Sequence, residues 1–182
     1  MMPCFESVTR NLPILVTSLL FSGFAAAANP APSQLYYVPF PESDQLSAFA
    51  GVNAAAVDPL NIFVTFSAAS DNTVIYYDHW EDGYESDISA PKQSTTQVFG
   101  DGNPANGYPP GNAADLIPSG TVFSLRNYVN STAGSSVIKF DGRDKIASFK
   151  PISVTKTSYP AVTNSLFAGS TEVLERGLWG TE

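Results

Sequence analysis

Asn61 to Tyr77 reads NIFVTFSAASDNTVIYY. The first half, Asn61 to Ala68, is rich in β-branched and aromatic residues, the mark of a strand. Ser70-Asp71-Asn72 is a turn signal, and Thr73 to Tyr77 is expected to return as the hairpin partner. No repeat or heptad is visible, and much of the remaining chain follows the same style. Gln34 to Phe40 is a strand that Pro39 and Pro41 confine to an edge or an end. Thr95 to Phe99 and Thr121 to Val129 are further strands. Ser136 to Phe140 and Lys145 to Phe149 flank Asp141-Gly142-Arg143-Asp144 and form a second expected hairpin, with Asp-Gly supplying positive φ. Pro151 marks a break before Ile152 and Val154. Ser43 to Asn53 reads as a helical turn or loop, and Leu166 to Leu174 as a strand or short helix. Strands close in sequence, without strand–helix alternation, predict an all-β antiparallel β-sandwich.

The expected organisation is a signal peptide over 1–28 and a β-sandwich module over 29–182. Arg10, the apolar run Leu12 to Phe24 and the small residues Ala25 to Ala28 carry the first reading. That run is short for a membrane span, and no later segment is apolar enough for one. Export places the module outside the cell or on its surface. The single cysteine, Cys4, lies in the leader, so the mature module is held by its core or by bound ions rather than by disulfides. The C-terminal Leu178-Trp179-Gly180-Thr181-Glu182 has no polar tail, which suggests a module truncated at that end.

The formal net charge is −8, concentrated between Asp71 and Asp115, where Lys92 is the one basic residue. This excludes a basic nucleic-acid footprint and favours cations or basic partners. Residues 78–118 form a long loop rich in Gly, Pro, Asn and Asp, of the kind that usually carries function. Its head, Tyr76-Tyr77-Asp78-His79-Trp80-Glu81-Asp82-Gly83-Tyr84-Glu85, is the densest aromatic and acidic stretch of the chain. Alternation places Tyr76 with Asp78 on one face and Tyr77 with His79 on the other, and Gly83 allows the turn after Trp80.

Three readings of this motif are open. In the structural one, aromatics cap the core while acids accept backbone N–H bonds. In the second, Ca2+ is held by hard oxygens drawn from Asp78, Glu81, Asp82, Glu85, Asp87, Asp101, Asn103 and Asn106, with Asp78, Glu81, Asp82, Asp101 and Asn103 as the metal set. Gly100 to Gly107 superficially resembles a calcium loop but departs from the EF-hand spacing at Ala105. The third is carbohydrate, bound by Tyr77, Asp78, His79, Trp80, Glu81, Asp82, Tyr84 and Glu85, or hydrolysed by a carboxylate pair among Asp78, Glu81 and Asp82. His79, the only histidine, makes neither a metal site nor a triad by itself, and no Gly-x-Ser-x-Gly elbow, phosphate loop or dinucleotide pattern is present. Asn130-Ser131-Thr132 is a glycosylation sequon.

The motif at 76–85 resembles one near the N-terminus of large uncharacterised secreted or cell-surface proteins of bacteria and some fungi. The resemblance extends to Gln93-Ser94-Thr95-Thr96-Gln97, Gly100 to Gly107, Phe140 to Lys145 and Trp179-Gly180-Thr181. It implies a surface or adhesion module followed by further β-modules, and assigns no catalytic residue. The hairpin with Ile146 to Lys156 is loosely similar to the N-terminal region of IgGFc-binding-type extracellular proteins. The expected function is therefore a secreted non-enzymatic surface module with extracellular protein or glycan partners. A carbohydrate-active enzyme is the alternative.

Overall fold

A computed structural model describes residues 32, 34–52, 59–130, 137–161 and 169–178. The expected signal peptide, the sequon hydroxyl residue and Trp179-Gly180-Thr181 lie outside them. The elements are β1 (Gln34–Tyr37), α1 (Glu42–Val52), β2 (Leu60–Ala68), β3 (Ile75–Asp78), β4 (Gln97–Phe99), β5 (Val122–Val129), β6 (Lys145–Ser148), β7 (Ile152–Pro160), β8 (Gly169–Val173) and a 3-10 turn at Arg176–Leu178. Two four-stranded antiparallel sheets run β1-β6-β3-β4 and β5-β2-β7-β8. The fold is all-β, and no described helix is long and apolar enough to cross a membrane.

Strand β2 shows why the sheets stack. Leu60, Ile62, Val64, Phe66 and Ala68 alternate inward and are buried, while Phe63, Thr65 and Ser67 face out. Their core partners come from the other sheet, with Ile75, Tyr77, Phe99 and Ile146 in the same cluster. Phe66 stacks on Phe123 at 5.0 Å and meets Tyr77 edge-on at 6.2 Å. Truncating a ring so enclosed costs about 3–5 kcal/mol.

The β1 sheet is covered on both sides. Every residue of β3 and β6 is buried. On the outer face Tyr76, Val98 and Ala147 pack under Ile88, which belongs to the long loop. Tyr77 and His79 share the inner face, with ring centroids 5.1 Å apart. The loop is thus a lid on the sheet rather than an appendage, and the faces follow the alternation read from sequence.

Both expected hairpins are corrected. Strand β2 does not pair with β3. Both of its edges are taken by the longer β5 and β7, and residues 69–74 carry the chain to the other sheet. Residues 137–140 form no strand, because β6 pairs with β1 and β3 instead. The backbone of 139–141 bonds to side chains: Lys139 N–H donates to Glu81, and Asp141 N–H to Asp144. The Asp-Gly reading also shifts. Arg143, not Gly142, takes the positive φ of 84°. Gly142 is required by close approach, since a Cβ there would lie 2.5 Å from the Phe40 carbonyl oxygen.

Candidate functional site

The site grows from the exit of β3 and the turn that enters β6. Asp144, fully buried, is its hub. Its Oδ2 accepts the Tyr77 hydroxyl at 2.6 Å and the Asp141 amide at 2.8 Å, and its Oδ1 accepts the Trp80 amide at 3.2 Å. His79 Nδ1 lies 3.7 Å from Asp144 Oδ2, an ion-pair rather than hydrogen-bond distance, and 2.7 Å from the Lys139 carbonyl. A carbonyl accepts only, so Nδ1 carries the proton in this geometry.

Three further acids crowd the same turn. Glu42, at the start of α1, accepts Gly142 N–H through both oxygens at 3.0 Å and pairs with Lys156. Asp141 Oδ1 accepts Trp80 Nε1–H at 2.9 Å. Glu81 Oε1 accepts Lys139 N–H at 2.8 Å, whereas its buried Oε2 has no hydrogen-bond partner among the described residues. Lys156 sits on the inward face of β7 and spends its remaining protons on the Pro39 and Phe40 carbonyls.

Electrostatics follow from this crowding. Burial, reinforced by Glu42, Asp144 and Glu81, pushes the Asp141 carboxyl up to about 8. Burial also raises Glu81 and Asp144, although His79 and Tyr77 oppose it at Asp144. Burial lowers His79, but Asp144 outweighs it and the imidazole ends above its ordinary value. Burial depresses Lys156, with Glu42 opposing. The acids and His79 therefore hold protons more tightly than the same groups would in water, whereas Lys156 holds its own less tightly.

A second knot lies across the sheet. Asp78 pairs with Lys145 Nζ at 2.7 Å, both buried, and accepts Glu85 N–H at 2.9 Å. Glu85 accepts the amides of Lys92 and Gln93, and its carbonyl accepts Lys145 Nζ. Tyr84 stands edge-on to Tyr37 at 5.9 Å, takes Lys145 over its ring, and donates to the Arg143 carbonyl at 2.6 Å. Gly83, at φ 89°, closes the turn by donating to the Trp80 carbonyl.

The residues expected to bind ligand are split by exposure. Tyr77, Asp78 and His79 are essentially buried, as are Glu81 and Glu85. Trp80 is half-buried, with the exposed Arg143 guanidinium 4.5 Å above its ring, and Asp82 and Tyr84 face solvent. A pocket of about 70 Å3 beside Trp80 is lined by Glu42, Asp141, Gly142 and Arg143.

The expected calcium set is not gathered at one point. Among the described residues, the group of acids and histidine with ligand atoms mutually within 4.8 Å is His79, Glu81 and Asp144, which shares only Glu81 with that set. Asp78 is tied to Lys145, and Asp82 accepts the Thr95 hydroxyl. Asp101 and Asn103 belong to a separate loop whose amides converge on the buried Asp115: Gly100, Asp101, Gly102 and Asn103 donate to it at 2.6–3.1 Å. These N–H groups are arranged for an anion.

Glu42, Asp141, Asp144, Lys145 and Lys156 were not singled out from sequence. Two signals were present: Asp141 to Asp144 carries two acids in four residues, and Lys156 falls in phase with the buried Ile152 and Val154. Comparison with known proteins adds no assignment, since no family model, curated protein or solved structure matches the chain.

Proposed function

We propose that the chain is an exported, non-enzymatic surface or adhesion-type module, and that the 76–85 motif is the brace that shapes its binding face. The supporting observation is how the motif's buried acids are used. Asp78 and Glu85 spend oxygens on a buried lysine and on the amides of Glu85, Lys92 and Gln93. A glycosidase needs one carboxyl as acid and a second as nucleophile or base, both facing substrate. Asp78 is fully buried and Glu85 nearly so.

The face offered to a partner is Trp80 beneath the Arg143 guanidinium, together with the solvent-facing Asp82 and Tyr84 of the same turn. Aromatic rings beside a guanidinium and a carboxylate suit an extracellular glycan or protein. The test is a glycan and extracellular-matrix protein array probed with the exported chain, beside a polysaccharide hydrolysis screen. Binding that weakens in Tyr84→Ala and Arg143→Ala, without hydrolysis, is expected. Hydrolysis abolished in a normally stable Asp78→Asn or Glu81→Gln protein would overturn the proposal.

A further inference from the structure

Two independent observations meet at the inner knot. One is the group of His79, Glu81 and Asp144, 2%, 9% and 0% exposed, with ligand atoms within 4.8 Å of one another. The other is Glu81 Oε2, a buried carboxylate oxygen with no hydrogen-bond partner among the described residues, on a side chain whose Oε1 is fixed by the Lys139 amide. Buried oxygens of this kind normally find a donor or a cation.

We propose that His79, Glu81 and Asp144, completed by the Lys139 carbonyl, form a site for a divalent transition-metal ion of the zinc class. Ligand bonds of about 2.0–2.2 Å place neighbouring ligand atoms roughly 3.0–3.6 Å apart around such an ion. The distances from His79 Nδ1, 2.7 Å to the Lys139 oxygen and 3.7 Å to Asp144 Oδ2, bracket that span. Two carboxylates balance a divalent charge. One imidazole nitrogen with carboxylates selects zinc or manganese over calcium, which takes six to eight oxygens.

The shell around the ligands is already ordered. Tyr77 and the Asp141 amide hold Asp144 Oδ2, and the Trp80 amide holds Oδ1. Binding at Nδ1 leaves the ring proton on Nε2: an imidazolium releases its Nδ1 proton to water as the metal–nitrogen bond forms, and a neutral ring shifts its proton from Nδ1 to Nε2 without net release. The ion would clip residues 79–81 to 139–144, whatever the outer face binds.

The chain's single histidine makes the test specific. Untagged full chain, freed of metal with chelator, is titrated with Zn2+ and separately with Ca2+. Heat is followed by calorimetry, and the imidazole nitrogens by 15N NMR. One equivalent of Zn2+ should displace the Nδ1 resonance, and Ca2+ should not. Glu81→Gln keeps an acceptor for the Lys139 amide and should weaken Zn2+ by at least about tenfold. Asp101→Asn, in the separate Gly100–Asn103 loop, should bind as wild type. An unmoved imidazole in the wild type overturns the proposal whether or not any variant folds. Equal Zn2+ affinity in a folded Glu81→Gln protein, or an imidazole that answers Ca2+ as strongly as Zn2+, overturns it too.

Discussion

Asp141 makes the stability of this fold depend on pH in the direction opposite to ordinary acid denaturation. Its carboxyl titrates near 8 in the folded chain, driven by burial and by Glu42, Asp144 and Glu81, against about 3.9 unfolded. Between those values the folded state holds a proton that the unfolded state lacks. Stability contributed by this group is therefore complete below about pH 4 and lost as pH rises toward 8, at up to about 1.4 kcal/mol per pH unit. Glu81 and Asp144 are displaced upward and act with the same sign. His79 agrees: its raised value stabilises below about 6.5, and that share is lost as pH climbs through the folded value. Asp141→Asn removes the titrating group while its Oδ1 can still accept Trp80 Nε1–H. Urea unfolding at pH 5, 6, 7 and 8, in chelator, reads the slope. Wild-type stability should fall by about 1 kcal/mol per unit, and the variant's profile should be clearly flatter. Parallel profiles, or a wild type that gains stability over this range, would refute the reasoning.

Other outcomes follow from named contacts. Asp78→Asn leaves Lys145 buried without its counter-ion and should cost about 3–5 kcal/mol in denaturant unfolding. Gly142→Ala drives a Cβ against the Phe40 backbone and should lower stability by about 1–3 kcal/mol, visible as a reduced melting temperature. Trp80→Ala removes a half-buried ring and its bond to Asp141. It should cost about 2–3 kcal/mol by the same melts, less than truncation of a buried ring such as Phe66.

The legible part of the fold was local. The apolar residues of Asn61 to Ala68 and the alternation through Tyr76 and Tyr77 depend only on what each residue is, and both elements stand where the pattern places them. Partner choice was not legible. Nothing in Ser70-Asp71-Asn72 says that β5 and β7 will outcompete β3 for the edges of β2, because that competition is settled by strands far along the chain. The strand expected at 136–140 failed for a related reason: at residues 139–141 its backbone is engaged by Glu81, His79 and Asp144. Within the site, the motif marked the right place but half the players. Its residues find partners in the 139–145 segment, and that turn is held by Glu42, itself paired with Lys156 114 residues away. A short-range reading sees Asp141 and Asp144 as turn residues, which they also are.

Asp144 carries the central claim, that the motif is a brace closed on the 139–144 turn. Asp144→Asn replaces an acceptor-only carboxylate that serves Tyr77, Trp80 and the Asp141 amide with a side chain that must turn donors toward donors. The direct measurement is the unfolding free energy of this variant by urea titration in chelator at pH 6. A loss of about 3–5 kcal/mol is predicted, as for a broken buried network. A change within about 0.5 kcal/mol, the range of an ordinary surface substitution, would contradict the account.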